Sequence, residues 1–482
     1  MAPFVPRTAD MRTLDSSPIS SDRPAGRRRT PRIGIGGLGY VGLATALGFA
    51  EKGLTVTGYD LVDRLRQDLR SGRTNLAEPG VNGLLRRVVG LGRLQIVDSW
   101  QSIADDSEVI FLCLPTPRRA NGSIDLRPIV RGAQELGKAL RSVRGYRLVV
   151  VKSTVVPGTT EKTIRPILEK SSGHDARWLG VAANPEFLAE GTMLRDVLRP
   201  ERIVVGVSAQ KDARVLANVY RRFRAPRIVL SPRGAELVKY ASNAFLAARV
   251  AFTNEMSRIA EREGVDVDRV MRAVGLDSRI GRRYLSAGPG FGGSCFEKDV
   301  RALVQEVERM RLHPRILEAI VPSNADQTRH AFDLIQSAVG PLRGRTIALL
   351  GLSFKAGTDD VRESRALPIV RWAVGKGAQI RLHDPRARAN FQRLLGASRA
   401  RGVNQVRFLP SPIEAVSGAD VAVIQAAWPD YLGFPRAWVR KMRRPVVVDL
   451  RRALPPSVTS RGDLVCVRLG DGTSQPALRR LA

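Results

Sequence analysis

At 482 residues the chain is longer than one hydrophobic core usually serves, so two or three domains are expected. The apolar share is 43% and no uninterrupted apolar run approaches the roughly 18 residues of a membrane span, and the N-terminus lacks a secretory cleavage pattern, so a cytoplasmic protein with no membrane span is expected. The net charge of +32 favours anionic ligands, but the arginines are scattered, without aromatic interleaving or zinc-finger spacing, which argues against a specific nucleic-acid site.

In chain order, residues 1–30 are polar and rich in Pro, Ser and Arg without periodicity, and read as a disordered basic tail. From Arg32 short β-branched runs alternate with helical patterns, the texture of a parallel sheet built from βαβ units. The runs RIGIGG, LTVTGYD, VIFLCLP, YRLVVVKST and ARWLGVAAN are its candidate strands, in a doubly wound domain over residues 31–228. Its first strand leads into Gly37, Leu38, Gly39, Tyr40, Val41 and Gly42 and then a helix, and Asp60 ends the next strand. That is a dinucleotide fingerprint in its required context: Gly37 for the tight turn, Gly39 for backbone approach to a pyrophosphate, and Gly42 for close helix packing. Asp60 suits a ribose 2′-hydroxyl and would repel a 2′-phosphate, favouring NAD, although Arg64 and Arg66 nearby weaken the distinction. Two patches end later strands, Lys152-Ser153-Thr154 and Asn184 to Glu190, where open α/β sheets place ligands. Isolated glutamates there could equally be solvated.

Past Pro232 the pattern turns helical, and residues 234–263 run without proline, about 45 Å of helix at 1.5 Å per residue. A central helical region over 229–330 is expected. Lys239 and Asn243 share one face of the long helix, although a lysine there could simply reach solvent. Further on, Gly288 to Ser294 is a glycine-rich loop that could wrap a ligand closely, and Cys295 follows it at the expected start of a helix. A thiol so placed would be a nucleophile. Asp299, one turn later, would face the same site and could activate water. Cys113 in an apolar strand and Cys466 in DLVCVRL fit core filling better, and three cysteines make no disulfide framework. From about Arg345 the βαβ texture returns in RTIALLGLSF, AQIRLHDP, DVAVIQAAW and PVVVDLR, a second Rossmann-like domain over 331–482.

Taken together, GLGYVGL, the EPG at Glu78, LPTP at Thr116, KSTVVPGTTE, NPEFLAEG, KYASNAFLAARVAFTNE, GPGFGGSCFEKD and FKAGTDDVRES resemble the UDP-glucose/GDP-mannose dehydrogenase family over residues 32 to about 455. The resemblance implies two Rossmann-like domains joined by a long helix and a helical dimerisation region. It also implies NAD as cofactor, a UDP-sugar as substrate, and a homodimer or higher homo-oligomer, with no metal. Cys295 would be the nucleophile of a four-electron oxidation, Lys239 and Asn243 would stabilise an oxyanion, and Thr154, Glu190 and Asp299 would position water. Tyr40, Val41, Arg64, Thr116, Thr154, Glu190 and Arg362 would contact the cofactor, besides the glycines and Asp60. Glu186, Phe187, Leu188, Tyr284, Leu285, Gly290, Phe291 and Gly292 would line the substrate site with Lys239 and Asn243. Phe354, Lys355 and Arg451 would join them from the C-terminal domain, and Arg279 from a neighbouring subunit. The motifs are closest to the UDP-glucose branch, with a UDP-N-acetylhexosamine or GDP-mannose as alternative substrates and a non-catalytic basic binding protein as a remote one.

Overall fold

The computed structural model describes residues 30–398 and 402–474. The expected disordered tail thus lies, up to residue 29, outside the described residues. The chain forms two compact units: the first runs through Arg119 and from Ile124 to Lys239, and the second takes Ala120–Ser123 and the chain from Tyr240 onward.

The first unit is built on strands β1 (Ile33–Gly36), β2 (Val56–Tyr59), β3 (Leu94–Ile96), β4 (Val109–Leu112), β5 (Arg147–Val151), β6 (Leu179–Ala183), β7 (Ile203–Gly206) and β8 (Arg227–Leu230). They lie in the order β3-β2-β1-β4-β5-β6-β7-β8, whose first six strands are the doubly wound dinucleotide-binding arrangement with its switch point between β1 and β4. β1 and β4 are buried throughout, as strands covered on both faces must be. One pairing departs from the parallel pattern. β6 and β7 run antiparallel, meeting at Ala183 and Gly206, and the chain between them carries the short helix Met193–Leu198.

The second unit repeats the architecture with β9 (Thr346–Leu350), β10 (Gln379–His383), β11 (Val406–Phe408), β12 (Val421–Ile424), β13 (Val446–Asp449) and β14 (Val465–Arg468), ordered β11-β10-β9-β12-β13-β14 and parallel throughout. This is the same strand permutation as in the first unit, so the fold is α/β with two Rossmann-like sheets. The long helix Pro232–Arg262, 31 residues, carries the chain from one unit into the next. Within the second unit it is followed by helices Val267–Val274, Phe296–Arg309 and Arg315–Val339. Met271, Ala331, Ile335 and Val339 from these helices share one core with Ile347, Leu349 and Val448 of the sheet.

An ion cluster fastens the same two parts. Arg452, its side chain 3% exposed, reaches Asp266 at 2.7 Å and Asp268 at 2.6 Å, and Arg468 bonds Asp266 at 3.2 Å. Burial pushes the Asp266 carboxyl up, but the charges and hydrogen bonds of Arg452 and Arg468 hold it below the usual carboxylate range. A carboxylate depressed in the folded state stabilises above its unfolded pKa, and that contribution disappears as pH falls through the folded value. Arg452→Met is therefore expected to cost about 3 kcal/mol at neutral pH, with the gap to wild type closing below about pH 4. Thermal melts of both proteins across that range check it; a gap independent of pH would show that Arg452 acts through packing alone.

Candidate active site

The chemistry of the first unit gathers at the carboxyl ends of its parallel strands. After β1 the chain turns at Gly37, with φ +91°, and enters the helix Tyr40–Glu51. A methyl at Gly37 would sit 2.6 Å from the Cys113 carbonyl oxygen, and one at Gly42 would overlap the Gly37 carbonyl. A methyl at Gly39, by contrast, would meet nothing within 4 Å. The two outer glycines thus serve the fold, while the middle one borders open space at a helix N-terminus that has neither a side-chain cap nor an acidic residue in its first turn. That combination fits the pyrophosphate of a dinucleotide. Asp60 closes the turn, its carboxylate accepting the N–H of Leu38 at 2.7 Å and of Val62 at 3.0 Å. Of the two nearby arginines, Arg66 is consumed by structure: it donates to Asp60 O at 2.7 Å and pairs with Asp63 and Asp98. Arg64 lies exposed.

Tyr40 and Val41 open the helix, and the Tyr40 hydroxyl donates to Glu78 at 2.8 Å and to Ala189 O at 3.2 Å. Burial, the Glu78 bond and the fields of Glu190 and Glu186 push that phenol well above its usual pKa, so it stays a donor. Glu78 also accepts the N–H of Gly191 at 2.5 Å, which anchors the loop carrying Glu186, Phe187, Leu188 and Glu190. Thr116 donates to the Thr154 carbonyl at 2.8 Å, joining the loops after β4 and β5.

Glu186 and Lys239, 53 residues apart in sequence, meet in a buried ion pair at 2.9 Å. Burial pushes the Glu186 carboxyl up, but Lys239, the Leu188 N–H at 2.6 Å and Lys152 together pull it below the usual range. Phe187 packs beneath Arg202, whose guanidinium carbon lies 4.0 Å from the ring centroid. Thr154, Pro185, Glu236 and Lys239 line one small cavity. Glu236, which motif reading passed over, is buried and accepts the N–H groups of Gly158 at 2.5 Å and Thr160 at 2.8 Å. It thereby holds the loop after Thr154 against the helix of Lys239.

In the second unit Cys295 is exposed and stands immediately before the helix Phe296–Arg309, its thiol 3.6 Å from Ser294 Oγ. The Asp299 N–H donates to Cys295 O at 2.9 Å, so nucleophile and carboxylate share the first helical turn. Asp299 is 1% exposed and accepts from Asn243 at 2.6 Å and Lys298 at 2.5 Å. Cys113 and Cys466 differ in kind, since burial pushes both thiols up to about 12. They are inert fillers, whereas Cys295 is open to solvent.

The glycine loop before Cys295 is pinned from beneath by polar side chains of the helices. Asn254 accepts the Gly288 N–H at 2.9 Å, and Asn324 pairs with both backbone groups of Phe291 at 2.7 and 3.0 Å. Gln327 donates to Gly288 O and Thr328 to Pro289 O, each at 3.0 Å. Gly290 takes φ +114°, and a methyl at Gly292 would overlap the Glu363 carbonyl. Tyr284 is half exposed at φ +61°, near the Phe296 ring, while Leu285 packs into the core of the unit.

Phe354 and Lys355 follow β9, and Arg451 follows β13, so all three stand at the carboxyl edge of the second sheet. Arg451 donates to Gln425 O at 2.7 Å and Phe354 O at 2.9 Å, and burial, with Arg365 nearby, lowers it to about 10. It remains a cation beside the loop, since its guanidinium nitrogen lies 3.1 Å from where a Gly288 methyl would be. Arg362 is exposed and fork-bonded to Asp360, and Arg279 is exposed and fork-bonded to Asp277. Asp384, the counterpart of Asp60 after β10, is buried and accepts the N–H groups of Leu352, Ser353, Arg386 and Ala387 and the Trp428 indole, so it is spent on the fold.

Comparison with known proteins matches three stretches of the chain. Residues 31–224 match the UDP-glucose/GDP-mannose dehydrogenase family NAD binding domain, residues 233–326 its central domain and residues 348–456 its UDP binding domain. UDP-glucose 6-dehydrogenase TuaD of Bacillus subtilis is 36% identical over 422 residues, covering 87% of this chain and 89% of its own. GDP-mannose 6-dehydrogenase of Pseudomonas aeruginosa is 36% identical over 401 residues, covering 82% and 91%. A UDP-glucose dehydrogenase structure from Pyrobaculum islandicum superposes with a TM-score of 0.83 at 40% identity, covering 89% of this chain and 96% of that one. With all three of its domain models matched, the chain belongs to the UDP-glucose/GDP-mannose dehydrogenase family and carries that family's NAD-binding domain.

Proposed function

We propose that the protein oxidises C6 of UDP-glucose to the carboxylate of UDP-glucuronate through covalent attachment to Cys295, supplying a uronic acid for polysaccharide synthesis. The observation that carries this reading is an exposed cysteine at a helix start, sharing one turn with a buried carboxylate and preceded by a pinned glycine loop. NAD, when bound, supplies the hydride acceptor, one molecule for the alcohol and one for the thiohemiacetal. The turn Gly37–Gly42, Tyr40, Val41, Asp60, Arg64, Thr116 and Arg362 are the residues that would hold it.

The protein's own part is the handling of oxygen and sulfur. Loss of hydride and a proton turns the C6 alcohol into an aldehyde. The Cys295 thiolate adds to that carbonyl to give a thiohemiacetal, whose oxyanion Lys239 and Asn243 stabilise as hydrogen-bond donors. A second loss of hydride gives the thioester, and water cleaves it to carboxylate and thiol. Asp299, Glu190 and Thr154 position that water and accept its proton. Glu186, Phe187, Leu188, Tyr284, Leu285, Gly290, Phe291 and Gly292 hold the nucleotide sugar, and Lys355 and Arg451 supply positive charge for its diphosphate.

Two further parts belong to this proposal. The domain limits are 31–228 for NAD, 229–330 for the helical region and 331–482 for the UDP-sugar. The active assembly is a homodimer: Phe245 at 65%, Phe252 at 53% and Ile259 at 48% exposure form an apolar stripe at helical spacing on the long helix. In that dimer Arg279 reaches the partner's substrate. Among the described residues no helix is long and apolar enough to cross a membrane.

NADH formation with UDP-glucose, UDP-N-acetylglucosamine, UDP-N-acetylmannosamine and GDP-mannose tests the reading. Two NADH per UDP-glucose consumed is the expected result. Turnover with another sugar alone would keep the chemistry and move the substrate, which the likeness to GDP-mannose 6-dehydrogenase makes a real alternative. Silence with all four would remove it.

A further inference from the structure

Lys152 is a buried cation to which the reaction above gives no task. It follows β5, two residues before Thr154, and is 9% exposed. Its ammonium donates to Asn184 twice, to Oδ1 at 3.1 Å and to the carbonyl oxygen at 3.3 Å. Asn184 follows β6, two residues before Glu186, and is itself locked in place. Its Nδ2 donates to Val204 O at 2.7 Å, and its Oδ1 accepts the Tyr220 hydroxyl. Lys152 therefore cross-ties the ends of the two strands from which Thr154 and Glu186 emerge.

Its charge has a second consequence. The charged and titratable groups that act on it are Cys113 after β4, Glu186 after β6 and Lys239 on the long helix. The Cys113 thiol is neutral at ordinary pH, so the buried set reduces to two cations and one carboxylate, with Lys239 in direct contact and Lys152 pulling on the same Glu186 from the other strand end. In a poorly screened interior Lys152 and Lys239 repel one another, so each is held at Glu186 less tightly than it would be alone.

We propose that Lys152 is a positioning residue: it fixes the Thr154 and Glu186 loops through Asn184, and its charge loosens the hold of Glu186 on Lys239, so that the Lys239 ammonium can turn to the substrate oxygen. This rests on the reading of Lys239 given above. With Lys152 uncharged that repulsion is gone, Glu186 holds Lys239 more tightly and the oxyanion loses its donor. Burial, opposed by Glu186 and aided by Lys239, brings Lys152 down to about 8, so the effect falls within the working pH range. A lysine lowered in this way carries its charge below that value and loses it above, so kcat of the wild type should fall as pH rises through it.

The test compares wild type, Lys152→Arg and Lys152→Gln by NADH formation from pH 6 to 10 with the nucleotide sugar that wild type accepts. Arginine keeps its charge throughout. Lys152→Arg should retain kcat to within a few-fold and lose the alkaline fall near pH 8. Lys152→Gln should lose kcat at least 30-fold below pH 8, with the gap to wild type closing above it as wild-type Lys152 loses its own charge, and with KM for the nucleotide sugar changed less than three-fold. Equal kcat in the two variants, or an unchanged alkaline fall in Lys152→Arg, would overturn the proposal. If Lys152→Gln does not fold, as judged by circular dichroism and NAD affinity, the pH profile of Lys152→Arg alone decides. Failure of both to fold would show a purely structural lysine and overturn it as well. Wild-type silence with every nucleotide sugar would instead remove the functional reading on which this one stands.

Discussion

Cys295→Ser is expected to leave a folded protein that binds NAD and nucleotide sugar but loses ~10³-fold or more in overall turnover, the scale seen when a covalent nucleophile is removed. The structure explains why the fold should tolerate it. Cys295 is exposed, it precedes its helix without a side-chain cap, and the bond that starts the helix uses its backbone carbonyl, which serine keeps. The chemistry should not tolerate it. A hydroxyl is almost wholly protonated at neutral pH where a thiol is partly ionised, and an ester bond is poorer than a thioester at accepting water. The first oxidation needs no sulfur, so a slow release of aldehyde with one NADH is the residual activity to look for. Stopped-flow NADH measurements with the serine variant, and mass spectrometry of wild type quenched during turnover, check both halves. Two NADH per sugar at wild-type rate from Cys295→Ser would remove the covalent mechanism whatever the substrate.

The sequence was most legible where a residue's local chemistry already contains its function. Gly37, Gly39 and Gly42 between a strand and a helix, and Cys295 after a glycine run, need no distant partner to be read, and the buried strands β1, β4, β5 and β9 stand out as apolar runs. Less legible were elements whose reason lies elsewhere in the fold. β8 at the sheet edge is apolar from Ile228 to Leu230 yet mostly exposed, and β3 and β11 are too short to stand out. The antiparallel pairing of β6 with β7 is a matter of strand direction, which no periodicity reports. Within the site, the Lys239–Glu186 pair and the Lys152–Asn184 tie join residues 53 and 32 apart. Asn254, Asn324, Gln327 and Thr328 look like polar interruptions of amphipathic helices, and only the loop they hold explains them. Arg64 and Arg66 could not be separated on the page of letters; the four acceptors claimed by Arg66 separate them.

The second large effect concerns the fingerprint glycines, which a pattern treats as equals and the structure does not. Gly42→Ala would drive a methyl into the Gly37 carbonyl and to 3.2 Å from Cys113 Cβ, in a region where β1, β4 and the first helix are all buried. Neither neighbour is a flexible side-chain end, so the helix must move off the turn. Such overpacking costs about 1–3 kcal/mol, and NAD affinity should fall ~100-fold with it as the turn opens. Gly39→Ala is the opposite case. It has an extended backbone at φ −66° and ψ −163° and no atom within 4 Å of the new methyl, so stability should stay within about 0.5 kcal/mol of wild type. The empty space is what the pyrophosphate would use, and NAD affinity should still fall ~10-fold or more. Thermal melts read the first difference and NAD titration by protein fluorescence the second. Only a ligand that packs on the Gly39 backbone makes affinity fall while stability holds. Unchanged NAD binding in Gly39→Ala would mean that the turn is a packing device and that the dinucleotide sits elsewhere on the sheet edge.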